Sequence, residues 1–156
     1  MTKFRIVETR FEQEARRPGG KKASEALLEA HANLTTLASK TLPRFHEGLQ
    51  TLRSLAGNGA DRPSDDALRQ IYDVADRLIG YCLKVNRPGL DQVLLRTAGL
   101  SDAVRQSDLW LPGTFAPLIE TFQLTLDGSL DLAQVSTLIA NIDLCIERYQ
   151  RAAVPA

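Results

Sequence analysis

The sequence has few of the side chains that bind metals or act as nucleophiles. It contains two cysteines and two histidines among 156 residues. His31 and His46 have no carboxylates at ligand spacing, so they do not form a metal-binding pattern. Cys82 and Cys145 each lie on an apolar helical stripe, which favours buried free thiols in a reducing compartment over a disulfide. We therefore predict no metal, no cofactor and no catalytic residue, and a protein that is not an enzyme.

Long apolar runs are also missing from the chain. No stretch approaches the length that a membrane span needs. The first residues are charged and lack the apolar core of a secretory signal. These two absences predict a cytoplasmic protein without membrane insertion.

Charge is balanced over the whole chain but unevenly distributed. Nineteen Lys and Arg offset nineteen Asp and Glu, yet residues 1–22 hold seven basic against three acidic side chains, a local charge of +4. The remainder carries −4 and lacks the basic face that broad nucleic-acid binding requires, so we predict no nucleic-acid partner. The basic N-terminal residues instead favour an acidic partner.

A Pro18-Gly19-Gly20 breaker follows the basic residues and indicates a hinge. We divide the chain into a basic N-terminal arm, residues 1–23, and a single helical domain, residues 24–156. Phe4 and Phe11 give the arm an apolar component. Two interpretations of the arm stay open, a partly disordered terminus or a segment ordered against the body or a partner.

From Ser24 onward, apolar residues recur three and four positions apart, and no strand-like alternation competes. The pattern predicts an all-α fold, an antiparallel bundle of about five helices with a four-helix core and an additional N-terminal helix. The predicted helices cover approximately residues 24–56, 64–86, 88–108, 114–126 and 129–151. The predicted N-caps are Ser24, Ser64, Thr114 and Ser129. Pro43 should kink or split the first helix, with Thr41 capping a second piece.

The first helix has the longest apolar stripe, formed by Leu27, His31, Leu34, Ala38, Leu42, Phe45, Leu49, Leu52 and Leu55. Because His31 lies on this stripe, we interpret it as a half-buried helix histidine rather than a phosphoacceptor. His46 lies at the edge of the stripe. Phosphotransfer domains usually carry a lysine three residues after the histidine, whereas this chain has Leu34 and Leu49 there. Phosphotransfer through His31 or His46 is therefore the weaker hypothesis.

Two local features have both structural and functional interpretations. The small residues Thr97-Ala98-Gly99 predict close packing against a neighbouring helix, with a docking surface as the alternative. Trp110, the single tryptophan, lies in a loop, where it either closes the end of the bundle or anchors a partner. We favour closure.

The run Ala15-Arg16-Arg17-Pro18-Gly19-Gly20-Lys21-Lys22, followed by Ser24-Glu25-Ala26-Leu27 and Ala30-His31-Ala32-Asn33-Leu34, resembles the opening of the alphaproteobacterial chemotaxis accessory proteins called CheE. The resemblance implies a non-enzymatic role in chemotaxis or two-component signalling. It implies docking to the receiver domain of a response regulator or to a histidine kinase. The last four helices are also similar in outline to a histidine phosphotransfer domain. In that comparison the third helix of the chain corresponds to the phosphoacceptor helix. It has Arg96 and Thr97 but no histidine, which disfavours phosphate transfer.

Receiver active sites are acidic, so a basic arm has a physical rationale as a docking element. The residues predicted to bind the partner are Arg16, Arg17, Lys21 and Lys22. Two alternatives remain, a phosphotransfer protein that uses His31 or His46, and a structural helical homo-oligomer.

Overall fold

The computed structural model describes residues 22–153. Every regular element in this range is helical, which confirms the predicted all-α bundle. The helices are α1 (Ala23–Ala56), α2 (Asp65–Ile79), α3 (Leu90–Arg105), α4 (Ala116–Leu126) and α5 (Leu132–Ala153), with a short 3-10 turn at Cys82–Lys84. None of the helices in the described range is both long enough and apolar enough to cross a membrane.

The chain separates into two compact units, Met1–Thr36 and Leu37–Ala156, with the boundary inside α1. The second unit contains the last part of α1 and all of the other helices. Residues 1–21 lie outside the described range, so the division into an arm (residues 1–23) and a single domain stays a prediction.

Within the second unit, α1 and α2 run in opposite directions. A guanidinium nitrogen of Arg44 donates to the Tyr81 hydroxyl just beyond the end of α2, at 2.9 Å. One turn later in α1, a Cβ atom at Gly48 would meet the Leu78 side chain, which precedes Tyr81 in the sequence. Increasing residue numbers in α1 therefore correspond to decreasing numbers in α2, as an antiparallel pair requires.

The pair α3 and α5 runs in parallel. Arg96 of α3 forms a two-pronged ion pair with Asp143 of α5, its shorter contact 2.6 Å long. Three residues further along both helices, Gly99 faces Ile146. Since one antiparallel helix, α4, lies between them in the sequence, this arrangement agrees with the alternating directions of an antiparallel bundle.

The core of the second unit takes side chains from all five helices. Phe45 of α1 packs edge-to-face on Phe122 of α4, with ring centroids 6.5 Å apart. The other large side chains that are fully buried are Leu52, Leu68, Ile71, Leu90, Leu94, Leu100, Leu118, Leu126 and Tyr149. Burial of this size, at roughly 1.5–3 kcal/mol for each large apolar side chain, is the main source of stability.

Pro43 does not split α1, because the helix continues from Ala23 to Ala56. The predicted capping role of Thr41 is wrong. Its hydroxyl donates to the Leu37 carbonyl one turn earlier, at 2.7 Å, as it would in any helix interior. The buried Phe45 and Leu49 hold the segment after the proline against the core, so packing outweighs the lost backbone hydrogen bond.

The predicted cap at Ser24 is also wrong. The N–H groups of Glu25 and Ala26 both donate to the carbonyl of Lys22, at 2.9 and 3.0 Å. Ser24 therefore lies within the first turn, and Lys22 occupies the position before the helix. Ser64, in contrast, is confirmed as the cap of α2, since its hydroxyl accepts from the Ala67 N–H at 3.1 Å.

The remaining two predicted caps are displaced. The Thr114 hydroxyl donates to the Leu111 carbonyl at 2.6 Å, and α4 begins after it. At α5, Asp131 rather than Ser129 is the cap. Its carboxylate accepts from the Gln134 N–H at 2.8 Å, while the Gln134 side chain accepts from the Asp131 N–H at 2.9 Å. This reciprocal capping box satisfies two backbone donors, which a lone serine cannot do.

The second helix is shorter than its apolar pattern, whereas the third contains its whole pattern. The second helix ends at Ile79, and the chain then passes through the 3-10 turn to Gly89. Gly89 precedes α3 with a φ of 81°, a conformation that other residues rarely adopt. The third helix ends at Arg105, so Trp110 lies in the following loop.

Candidate interaction surfaces

The predicted partner-binding residues fall mostly outside the described range. Arg16, Arg17 and Lys21 lie among residues 1–21. Lys22 is exposed and immediately precedes α1. The role of the arm therefore stays a prediction.

Helix α1 carries one apolar stripe that has two different environments. From Leu42 onward the stripe is buried or half-buried, and Phe45 and Leu52 are 0% and 1% exposed. In residues 24–36, by contrast, every side chain that the structure describes is exposed. Leu27 and Leu28 retain 65% and 72% of their accessible surface. We call residues 24–36 the exposed stretch of α1.

His31 lies in the exposed stretch, so the prediction of a half-buried histidine is wrong. The periodicity placed it correctly on the apolar stripe, but that part of the stripe is uncovered. His46 is exposed as well, one residue after the buried Phe45. Both imidazoles are thus accessible to a partner protein.

Between α1 and α2 lies a cleft of about 490 Å³, which we call the basic cleft. It is lined by Arg44, Glu47, Gly48, Thr51, Val74, Arg77, Leu78 and Tyr81. The guanidinium carbon of Arg44 and the ammonium nitrogen of Lys84 lie 5.0 and 4.9 Å from the centre of the Tyr81 ring. Such distances are within the range of favourable cation–π contacts.

In the described part of the chain, the cations of the basic cleft have no carboxylate partner. Among the ion pairs of the described residues, none involves Arg44, Arg77 or Lys84. Glu47 is the one carboxylate in the lining, and it too forms no ion pair in the described part of the chain. In the lining, Arg44 and Arg77 against Glu47 leave an excess of one positive charge, and Lys84, which contacts the Tyr81 ring, adds a second.

The neighbouring cleft between α2 and α3 has a different charge balance. It is lined by Arg69, Tyr72, Asp73, Asp102 and Arg105, so two cations face two carboxylates. Arg105 and Asp102 form an ion pair at 2.7 Å. Tyr72 is 43% exposed in this cleft.

An apolar groove of about 400 Å³ lies between α4 and α5. Cys145 lines it, and burial raises the pKa of the thiol, partly offset by Arg148 and by the Thr114 hydroxyl. Burial also raises the pKa of Cys82, in the 3-10 turn after α2, to about 12, with a smaller contribution from Asp91. Both cysteines are free, as predicted, but they are half-buried rather than fully buried.

Trp110 closes one end of the bundle, the interpretation that the sequence favoured. Its indole N–H donates to the Ala60 carbonyl at 3.0 Å, and the Gly113 N–H donates to the Gly59 carbonyl at 2.8 Å. These two bonds join the loop after α1 to the loop before α4. The rest of the Trp110 ring packs against the core.

The small residues of α3 pack as their sequence indicates. Thr97 and Ala98 are buried, and the Thr97 hydroxyl donates to the Val93 carbonyl at 2.9 Å. Gly99 is exposed, with the Ile146 side chain 3.9 Å from where its Cβ would lie. The close-packing interpretation therefore holds for this segment.

In residues 22–153, no three His, Cys, Asp or Glu side chains come together in a way that would hold a metal ion. Comparison with protein-family models, with curated proteins and with solved structures found no match to this chain. The candidate surfaces are therefore the exposed stretch of α1 and the basic cleft. The sequence pattern pointed to neither, because both depend on which side chains the fold leaves uncovered.

Proposed function

We propose that this protein is a non-enzymatic docking protein of chemotaxis or two-component signalling, and that it binds the receiver domain of a response regulator. The observation that carries the proposal is the exposed stretch of α1. Two large apolar side chains there, Leu27 and Leu28, remain in water, although the stripe to which Leu27 belongs is covered further along the helix.

A helix with an uncovered apolar face is suited to bind in a groove of a partner protein. Leu27 and His31 are four residues apart and therefore share a face, with Leu28 beside them. Burial of the two leucines would contribute roughly 1.5–3 kcal/mol each. The basic residues before α1 would add electrostatic attraction toward an acidic receiver surface.

The similarity of residues 15–34 to the opening of CheE proteins supports the choice of partner. The same stretch contains Leu27 and His31, so the resemblance and the exposed surface coincide. In this proposal the protein regulates signalling by competing for a receiver surface or by holding it near another protein.

The test is a titration of the purified protein with the receiver domain of a chemotaxis response regulator. The double variant Leu27→Ala/Leu28→Ala should raise the dissociation constant roughly 10- to 100-fold. Leu144→Ala is the matched control, because Leu144 is 65% exposed on a different helix, and it should leave binding unchanged. Equal binding by all three proteins would contradict the proposal, as would binding to the histidine kinase alone.

The basic arm is tested separately in the same titration. Replacing Arg16, Arg17, Lys21 and Lys22 by Ala should slow association and reduce its dependence on salt. Unchanged association rates at low salt would remove the arm from the docking mechanism.

Histidine phosphotransfer is the second candidate, favoured by the exposure of His31 and His46. A phosphoacceptor imidazole must reach the active site of its partner, and both side chains meet this condition. Acid-labile phosphate should then appear on the protein after mixing with a phosphorylated kinase and disappear in His31→Ala or His46→Ala. A third possibility, self-association through the exposed leucines, would give a molecular mass that rises with concentration.

A further inference from the structure

We propose that the basic cleft between α1 and α2 binds an acidic segment of a protein partner, with Arg44, Arg77 and Lys84 holding its carboxylates. The site lies wholly in the Leu37–Ala156 unit. It shares no residue with the exposed stretch of α1, so it stands independently of the function proposed above.

The first argument is charge. Arg44 and Arg77 line one cleft, and Lys84 lies against the ring of Tyr81, which also lines it. In the described part of the chain, none of the three has a carboxylate within ion-pair distance. Charges of the same sign repel one another, and no ion pair among the described residues offsets this repulsion. In the neighbouring α2–α3 cleft, two cations are balanced by two carboxylates. An anionic segment would supply the basic cleft with carboxylates, which the α2–α3 cleft already contains.

The second argument is the position of Tyr81, which organises the cations. Its hydroxyl accepts a hydrogen bond from Arg44 at 2.9 Å, and its ring contacts both Arg44 and Lys84. These contacts hold two flexible side chains near one place, so less rotamer freedom remains to be lost on binding. Arg44 also retains further N–H groups that can bond a carboxylate, since a guanidinium has five.

The third argument selects a peptide over inorganic phosphate. The cleft also presents the apolar side chains of Val74 and Leu78, which suit the methylene groups of Glu and neighbouring apolar residues. Glu47 lies in the same lining and would repel a doubly charged phosphate more strongly than a single carboxylate. A volume of about 490 Å³ accommodates several side chains rather than one small ion.

The test measures binding of a short fluorescent peptide rich in Glu and Leu to the full chain by anisotropy. The triple variant Arg44→Gln/Arg77→Gln/Lys84→Gln removes three charges while keeping polar side chains of similar length. We expect it to weaken binding at least about tenfold, since charge-assisted hydrogen bonds are lost. The control triple Arg69→Gln/Arg148→Gln/Arg151→Gln has the same net charge and should retain binding within about twofold.

A further variant, Glu47→Gln, distinguishes a binding site from a structural cluster. Removal of the opposing carboxylate should strengthen peptide binding, whereas a purely structural role predicts no gain. Equal losses in both triple variants would reduce the effect to general charge and overturn the proposal. Tighter binding of inorganic phosphate than of the peptide, or no binding of the peptide, would overturn it as well. Because no receiver domain is used, these outcomes are separate from the fate of the proposed function.

Discussion

Residues 24–36 and residues 41–56 are two parts of the same helix with the same spacing of apolar side chains. In the second part, Phe45 and Leu52 are almost completely buried. In the first part, Leu27 and Leu28 remain largely exposed. The difference shows that helical periodicity identifies the face of a helix that is suited for burial but does not identify what covers it.

The physical consequence is that one helix has two roles. Residues 41–56 contribute to the core, where packing against Phe122 and the neighbouring helices stabilises the fold. Residues 24–36 contribute little apolar burial, and their exposed side chains form the surface that we propose for docking. The predictions below test this division, beginning with the largest expected effect.

Replacement of Phe45 by Ala should destabilise the protein by about 3–5 kcal/mol, because it opens a cavity in a packed core. The matched change in the exposed part of the helix, Leu28→Ala, should alter the free energy of unfolding by less than about 0.5 kcal/mol. Urea denaturation followed by circular dichroism measures both. Similar losses from the two variants would contradict the division of α1.

Pro43 lies near the start of the second part of the helix and is exposed. Pro43→Ala restores a backbone N–H and a better helix former, so it should stabilise the protein by about 1–3 kcal/mol. Thermal unfolding measures the change. A loss of stability would mean that the helix geometry at Pro43 is needed for residues 41–56 to pack against the core.

The sequence predicted much of this arrangement from particular residues. The stripe of α1 located Phe45, Leu49 and Leu52 in the core, and Ser64 marked the start of α2 correctly. The errors concern which residue caps a helix. Ser24 and Ser129 are good capping residues in isolation. In the structure, however, α1 starts before Ser24, with backbone hydrogen bonds to the Lys22 carbonyl, and Asp131 caps α5.

The candidate sites were less predictable, for a different reason. His31 lies on an apolar stripe, so the pattern indicated burial, although nothing in the pattern determines which segment is covered. The basic cleft brings Arg44 together with Arg77 and Tyr81, more than thirty residues away in the sequence. Such a convergence depends on the packing of α1 against α2 and has no local signal.

Substitutions at the starts of α1 and α5 should differ in their effect on stability, by a smaller amount than the two variants above. Asp131→Ala removes one half of a capping box and should cost about 1 kcal/mol. Ser24→Ala should change stability by less than about 0.5 kcal/mol, since Ser24 lies inside the first turn of an exposed segment. Denaturant unfolding of the two variants side by side checks this order, and a larger effect at Ser24 would reverse it.

The packed unit should also show a pH dependence through Cys82. Burial raises the pKa of its thiol from 9.0 to about 12 in the folded chain, so the unfolded chain loses the proton first as the pH increases. The contribution of this thiol to stability is therefore complete below pH 9 and declines between pH 9 and about 12. Cys82→Ala should make the decline in stability over this range shallower than in the unmodified protein. Parallel pH profiles for the two proteins would contradict this assignment.

The division of α1 is tested most directly by amide hydrogen exchange, measured by mass spectrometry with and without the receiver domain. In the free protein, amides of residues 45–56 should exchange far more slowly than those of residues 24–36, because only the former are held by the core. Addition of the receiver should slow exchange in residues 24–36 and leave residues 45–56 unchanged. Unaltered exchange in residues 24–36, with new protection only elsewhere in the chain, would contradict the assignment of this stretch as the docking surface.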